Sequence, residues 1–400
     1  MNPFTVFAYR FIQKSLHVAL FFIKMPEPKR YSSLLDLPKC LEEAKAHKPL
    51  IVCDSTMAKL PSMAKLIDGL EEANVPYAVY SGVVPNPTFG CIKAGLAAFK
   101  ENECDCIVSL GGGSSIDCAK SIATLVAGKS DDLARFRGLL KVKGKLCPHV
   151  AIPTTAGSGS EATPACVVTD EEHSDKFAIE SPKLIPGYAI LDDSVLEGCP
   201  KKLIAATGMD AYTHALESYL NCSRTSKTKA YGIKAMQLLE KSLKDFYDDP
   251  TVQQSRADVQ LASYLAGVAF SRAFVGYAHA LSHSLGGTFH IAHGLANAVL
   301  LPYVVAAFGK KAYKKLARVS DAIKLCDANL SNEAKAKAFI AHLIKLNEAL
   351  GIPKTFEGAY KKEDIPALVE HAYAEANPGY PVPRILSREE LSRILEEAMG

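Results

Sequence analysis

The sequence predicts an α/β domain built on a parallel sheet, followed by an all-helical domain. Three observations predict it. From about residue 49, short apolar runs alternate with stretches of helical spacing, the signature of βαβ units. After about Val195 the strand signals stop and long helical patterns take over. The chain is also 400 residues long, more than one hydrophobic core usually serves.

The elements follow in order. Pro49-Leu-Ile-Val-Cys-Asp54 reads as a buried strand ending in an acid, and Met57, Leu60, Met63, Ala64, Ile67 and Leu70 then recur at helical spacing. Tyr77 to Tyr80 is a second strand, followed by the turn Pro85-Asn-Pro-Thr88 and a helix to about Glu103. Cys106 to Leu110 is a third strand that runs into Gly111-Gly-Gly113, and His149 to Ile152 is a fourth; residues 176–179 and 189–191 suggest more. Helices are expected over 203–220, 228–247, 252–271, 278–285, 310–325, 334–350 and 388–399. The expected partition is a leader over 1–30, an α/β domain over 31–195 and a helical domain over 196–400.

Composition narrows the function classes. Hydrophobic residues at 48% with 22% charged fit an ordinary globular chain. The balance of 46 basic against 43 acidic residues argues against nucleic acid as a partner. The eleven cysteines are scattered without a Cys-x-x-Cys pair, which points to reduced thiols and a cytoplasmic protein. The leader carries Phe4, Phe7, Phe11, Leu16, Leu20, Phe21 and Phe22, interrupted by Arg10, Lys14 and His17. Its longest uncharged run falls short of the ~20 residues of a membrane span, and it has no signal-peptide cleavage motif. An amphipathic helix packed on its own protein or on a neighbouring subunit is the simpler reading; attachment to a membrane surface is the other.

Four residues of the rear half read as one metal site: Asp210, His214, His279 and His293. Asp210 and His214 are four apart on a predicted helix, hence on one face. Three imidazoles and one carboxylate suit Fe(II) or Zn(II), and suit the all-oxygen ions Mg(II) and Ca(II) poorly. His283, four residues after His279, is a fifth ligand, a proton relay or a pocket wall; His290 stands three before His293. His17, His149 and His173 have no such company and are read as non-functional.

Gly111-Gly-Gly-Ser-Ser-Ile-Asp117 follows a strand and opens a helix. Gly112 and Gly113 permit close backbone approach, Ser114 reads as an N-cap, and Asp117 three residues later as its capping-box partner. A diphosphate is the expected guest at such a helix start. A second small-residue loop, 152–163, also follows a strand. Its Gly157, Gly159 and Ala162 imitate a dinucleotide fingerprint, but at the wrong place in the fold; its hydroxyls Thr154, Thr155, Ser158 and Ser160 are better suited to line a polar ligand. Asp54, at the carboxyl end of the first strand, is placed to accept from ribose hydroxyls and to repel a 2′-phosphate, favouring NAD over NADP; capping of the next helix is the competing role.

These motifs, in order and at family spacing, resemble the iron-dependent alcohol dehydrogenases, a family that includes lactaldehyde and propanediol reductases. The matching stretches are Pro85-Asn-Pro-Thr88, Gly111 to Ser114 with Asp117, Pro153 to Glu161, Gly208 to Glu217, His279 to Gly294, and Ala296 to Pro302. The likeness runs from about Tyr31 to the end, leaving the leader outside. It implies a Rossmann-like front domain, a helical rear domain of the dehydroquinate synthase-like fold, and a cleft between them. It implies that Asp210, His214, His279 and His293 hold Fe(II), that His283 lies beside the nicotinamide, and that Asp54, Asn86, Gly113, Ser114, Thr154, Thr155, Ser158 and Lys176 contact NAD. It further implies a small alcohol or aldehyde as substrate and assembly as a homodimer or larger. Arg272 and Phe274 are bulkier than is usual at their place, so no relative's substrate is carried over.

The expected reaction is hydride transfer between an alcohol and nicotinamide C4, the metal polarising the substrate oxygen and His283 passing the proton to solvent. Two alternatives remain at this point. One is a metal- and NAD-dependent lyase or cyclase of the dehydroquinate synthase type, for which no basic set suited to a phosphorylated acid is evident. The other is a non-catalytic interaction protein retaining the fold.

Overall fold

The computed structural model describes residues 2–21, 23–173 and 175–400; Phe22, and the side chains of Leu16, His17, Ala19, Leu20 and Phe21, lie outside the described residues. The chain divides into two compact units, Lys24–Glu197 and a second that joins Met1–Ile23 to Gly198–Gly400.

The first unit carries strands β1 (Lys29–Tyr31), β2 (Pro49–Val52), β3 (Ala78–Tyr80), β4 (Cys106–Gly111), β5 (Gly138–Leu139), β6 (His149–Pro153), β7 (Ala165–Asp170), β8 (Asp175–Glu180) and β9 (Tyr188–Ile190). Six form one sheet in the order β1-β9-β6-β4-β2-β3, every neighbouring pair parallel. The central strands β2, β4 and β6 are buried at every position, as continuous apolar runs in a parallel sheet require. β1 was not anticipated, because an edge strand reading Lys-Arg-Tyr carries no apolar run.

Residues 176–179 form a strand as expected, but outside the parallel sheet. β8 pairs antiparallel with β7, and with β5 makes a separate three-stranded sheet. The reason is length: residues 171–174 cannot span the dozen or so positions a parallel crossover needs, so a hairpin results.

The helices are α1 (Pro3–Phe21), α2 (Leu37–Ala44), α3 (Pro61–Glu72), α4 (Phe89–Glu101), α5 (Gly113–Gly128), α6 (Lys201–Leu220), α7 (Ser226–Asp248), α8 (Gln253–Ala273), α9 (Tyr277–Phe289), α10 (His293–Ala307), α11 (Lys310–Ala322), α12 (Asn332–Ala349), α13 (Ile365–Ala376) and α14 (Arg388–Met399). α6 is buried almost all round and forms the centre of the second unit. Two close approaches fix its neighbours. A Cβ on Gly208 would meet Leu243 Cδ1 of α7 at 2.2 Å, and one on Gly294 would meet the Ala206 carbonyl oxygen at 2.3 Å, so the start of α10 lies directly on α6.

Three helices escaped the periodicity reading, the first being α2, whose eight residues are too few for a clear period and open on Leu-Pro. α10 is buried on nearly every side and contains Pro302, so its run from Ala296 shows no 3.6-residue alternation. α13 carries a proline within its first turn, where the missing N–H costs nothing, although in the sequence it reads as a breaker.

The leader does form a helix, α1. It docks on the second unit by polar groups. Arg10 Nη1 donates to the Val382 carbonyl at 2.7 Å and Nη2 to that of Pro383 at 3.0 Å, and buried Gln13 Nε2 donates to the Tyr380 carbonyl at 2.8 Å. Among the described residues no helix is long and apolar enough to cross a membrane.

Candidate metal centre

Asp210 and His214 lie one turn apart on α6, His279 sits in the first turn of α9, and His293 opens α10. One ligand atom from each lies within 4.8 Å of every other. Asp210 Oδ1 is 3.4 Å from His293 Nε2 and 3.9 Å from His279 Nε2, and Oδ2 is 3.9 Å from His214 Nδ1. Tetrahedral ligands about 2.1 Å from an ion stand about 3.4 Å apart, so the spacing suits a first-row divalent metal.

His279 gives the clearest test of fit. Its Nδ1 lies 2.6 Å from Glu217 Oε2, a carboxyl that also accepts the N–H groups of Gly276 (2.7 Å) and Ala278 (2.8 Å). The proton therefore stays on Nδ1, donated to Glu217, and the lone pair lies on Nε2, which is buried without a hydrogen-bond partner and faces the cluster. Burial, reinforced by the neighbouring imidazoles, holds the His279 pKa well below its usual value, so the ring stays neutral as a ligand must. Burial pushes Glu217 up to about 7 against the pull of its N–H donors.

Other side chains fix the rest. His214 stacks on Phe270, with centroids 4.1 Å apart and planes 12° apart. The Asn297 amide donates to Asp210 Oδ1 at 2.8 Å and reaches His293 Nε2 at 3.2 Å. His283 stacks on His293 at 5.1 Å, and its Nδ1 is 2.7 Å from Glu375 Oε1, which also accepts from the Tyr380 hydroxyl at 2.7 Å. His290 takes a left-handed conformation (φ 56°) that ends α9.

One amide makes three of the hydrogen bonds that hold the α8–α9 junction. Asn221 Nδ2 donates to the carbonyls of Ala273 (2.8 Å), Phe274 (2.9 Å) and Val275 (2.9 Å). Phe274 sits there at φ 63°, a conformation costly for a bulky residue. Arg272 turns back on its own helix, Nη1 reaching the Val268 carbonyl at 3.2 Å.

In the first unit the two small-residue loops meet. A Cβ on Gly112 would lie 3.1 Å from Thr155 Oγ1 and one on Gly113 would lie 3.1 Å from Ser158 Oγ; the Thr154 N–H donates to the Gly111 carbonyl at 3.0 Å. The Pro85–Thr88 turn joins them: the Asn86 N–H donates to Ser114 Oγ at 3.3 Å and Asn86 Oδ1 accepts from Lys176 Nζ at 2.7 Å. The structure thus gathers Asn86, Gly112, Gly113, Ser114, Thr154, Thr155, Ser158 and Lys176 around the start of α5.

Two expectations are corrected here. Gly112, not Ser114, is the N-cap of α5, and no side chain caps that helix, so Ser114 and Asp117 form no capping box. Asp117 instead accepts from Ser160 Oγ (2.7 Å) and the Val167 N–H (3.0 Å). Buried Lys120 completes that brace, its Nζ donating to oxygens of Ser160, Thr163 and Ala165 at 2.7–3.1 Å. Asp54 is not the N-cap of the next helix, a place Thr56 takes without a side-chain cap; its Oδ1 instead closes a local turn by accepting the N–H groups of Thr56 (2.8 Å) and Met57 (2.9 Å).

Comparison with known proteins settles the family. A family model described as iron-containing alcohol dehydrogenase matches residues 30–193, and one described as the C-terminal part of the Fe-containing alcohol dehydrogenase family matches residues 204–399. The chain is 36% identical to a 1,3-propanediol dehydrogenase of Klebsiella pneumoniae over 354 residues, 88% of this chain and 91% of that protein. This chain belongs to the iron-containing alcohol dehydrogenase family. A lactaldehyde reductase of Escherichia coli is also 36% identical, over 83% of this chain and 87% of its own length. Among solved structures, a 1,3-propanediol oxidoreductase superposes with a TM-score of 0.90 at 32% identity, covering 94% of this chain and 100% of that one. The alcohol dehydrogenase from Oenococcus oeni gives 0.89 at 31%, covering 94% and 99%.

As a member of this family the chain is an oxidoreductase, with the parallel-sheet front part and helical rear part expected of it. Glu217, Phe270, Asn297 and Glu375 escaped the sequence reading as site residues. Glu217 and Asn297 did leave a signal, lying three residues beyond His214 and four beyond His293 on the same helical faces.

Proposed function

We propose that this chain interconverts a small alcohol and its aldehyde using NAD, with Fe(II) held by Asp210, His214, His279 and His293. One observation carries the reading: four donors from three helices converge, and a buried carboxyl fixes one of them with its lone pair facing inward. Bound there, the metal supplies Lewis acidity to the substrate oxygen. Donor chemistry alone also allows Zn(II); the family favours iron.

The chain's own groups do the rest. Glu217 sets the tautomer of His279, and Asn297 orients Asp210. The uncapped start of α5 offers N–H groups and a positive dipole end to a diphosphate, and Gly112 and Gly113 let it approach. Asn86, Ser114, Thr154, Thr155, Ser158 and Lys176 complete that cradle in this proposal, while Asp117 braces the loop from behind. Asp54 keeps a second oxygen for a ribose hydroxyl, and its charge disfavours a 2′-phosphate. His283, paired with Glu375, passes the alcohol proton towards solvent.

Eleven free cysteines support a reducing, cytoplasmic setting. Assembly as a homodimer or larger rests on family likeness. The testing experiment is anaerobic assay of Fe(II)-loaded protein against a panel of alcohols and aldehydes, reading nicotinamide absorbance. Net NADH from an alcohol supports the proposal. Turnover without net NADH would instead indicate a lyase or cyclase.

A further inference from the structure

Among its described residues helix α1 docks through polar groups: Arg10 and Gln13 bind three backbone carbonyls, and Tyr9 shares a hydrogen bond with Tyr373. Its outward face is apolar: Phe4 is 76% exposed, Phe7 69%, Phe11 64% and Val18 58%. Spacings of three, four and seven residues place these four on one stripe of the helix. Ile12, 44% exposed, flanks one side of the stripe, and exposed Lys14 flanks the other.

A soluble helix normally buries such a stripe, so this face is built to be covered. Charge selects the cover. No acidic residue occurs before Glu27, whereas Lys14 and Lys24 are exposed. Aromatic residues on one face with cations at its edge, and no acids, match a helix lying in the plane of an anionic bilayer surface. A second copy of α1 would bring the same cations and no compensating acid. Over its described residues α1 is not apolar enough to cross a membrane, so the mode considered is lying on the surface.

We propose that α1 docks this protein peripherally on an anionic lipid bilayer, with Phe4, Phe7, Phe11 and Val18 inserted at the headgroup boundary and Lys14 and Lys24 facing lipid phosphates. The hydrogen bonds of Arg10 and Gln13 hold α1 on the protein while the apolar stripe is occupied.

The test is flotation of the full-length protein with vesicles of phosphatidylcholine alone, or with about a third phosphatidylserine, at low and high salt. Wild type should float with the anionic vesicles, and salt should weaken that binding. The triple variant Phe4→Ser, Phe7→Ser, Phe11→Ser should lose binding at least about tenfold while keeping its thermal unfolding temperature. Lys14→Glu should weaken binding to anionic vesicles only. No flotation by wild type, or equal flotation by the triple variant, would overturn the proposal. So would a stripe required for self-association: a wild-type oligomer that dissociates in the triple variant, with no vesicle binding, identifies a second copy as the occupant.

Discussion

Glu217 and His279 are joined by a 2.6 Å hydrogen bond inside the second unit, and both side chains are almost fully buried. The same carboxyl accepts the N–H groups of Gly276 and Ala278, so one acid sets the start of α9 and the tautomer of its histidine together. Glu217→Gln keeps one acceptor oxygen but turns an NH₂ group towards at least one of the three N–H groups the carboxyl now serves, and it removes the negative charge beside the imidazole. Iron affinity should fall about 10- to 100-fold. His279→Ala should lose metal and activity altogether. Elemental analysis checks both, and unchanged metal content in His279→Ala would refute the ligand assignment.

Gly294 bears on the same centre by another route. A Cβ there would stand 2.3 Å from the Ala206 carbonyl oxygen and 3.3 Å from Asp210 Cβ, so Gly294→Ala must push the start of α10 off α6. His293 opens that helix. Metal occupancy should drop along with stability, by about 1–3 kcal/mol as overpacking typically costs. Calorimetry with metal analysis reads both, and a wild-type value for each would show the contact to be compliant.

His283 pairs with Glu375 and stacks on His293 without being needed for the four-donor set. His283→Ala should keep its iron but turn over about 10²-fold more slowly, the usual scale for a lost acid–base group. A wild-type kcat would remove it from the mechanism.

Asp54 carries two local hydrogen bonds besides its proposed contact with ribose. Asp54→Gly should therefore lose about 1 kcal/mol of stability and also relax discrimination against NADP. The two effects separate: unfolding reports the first and the ratio of kcat/KM for NAD and NADP the second. If that ratio stays put, Asp54 is a turn residue only.

His149 makes stability depend on acid. Its ring is buried beside Ser109, 2.8 Å from Oγ, and burial drives its pKa down to about 3. The folded protein holds it neutral while the unfolded chain protonates it near 6.5. Its contribution is thus complete above pH 6.5 and is lost progressively as pH falls towards 3, at roughly 1.4 kcal/mol per unit once well below 6.5. In His149→Gln the fall in unfolding temperature between pH 7.5 and 5 should be smaller than in wild type.

The fold was legible where burial wrote itself into composition. β2, β4 and β6 are apolar throughout because both faces are covered, and the four metal donors stood out because histidine rarely clusters. What stayed hidden depends on contacts distant in sequence. β7 is a nearer case: its apolar start ends in the polar Thr169 and Asp170, and it pairs with β8 across a short turn. The Gly112 cap was misassigned because a serine two residues later fits the capping preference equally well; the close approach of Thr155 decided it. Glu375 lies 92 residues from His283, and nothing local to either marks the pair.

The Asn221 clamp confines how this chain can diverge. Aspartate at that position would present oxygen to three carbonyl oxygens, leucine would leave the Phe274 and Val275 carbonyls without that donor while Ala273 kept only Ser223 Oγ at 3.1 Å, and glutamine is one methylene too long for the same reach. Phe274 keeps its left-handed backbone, φ 63°, while its carbonyl is held by that same amide. Any rearrangement of the turn 273–275 must keep three carbonyl oxygens within reach of a single side chain at the end of α6, which ties the loop's path to that helix.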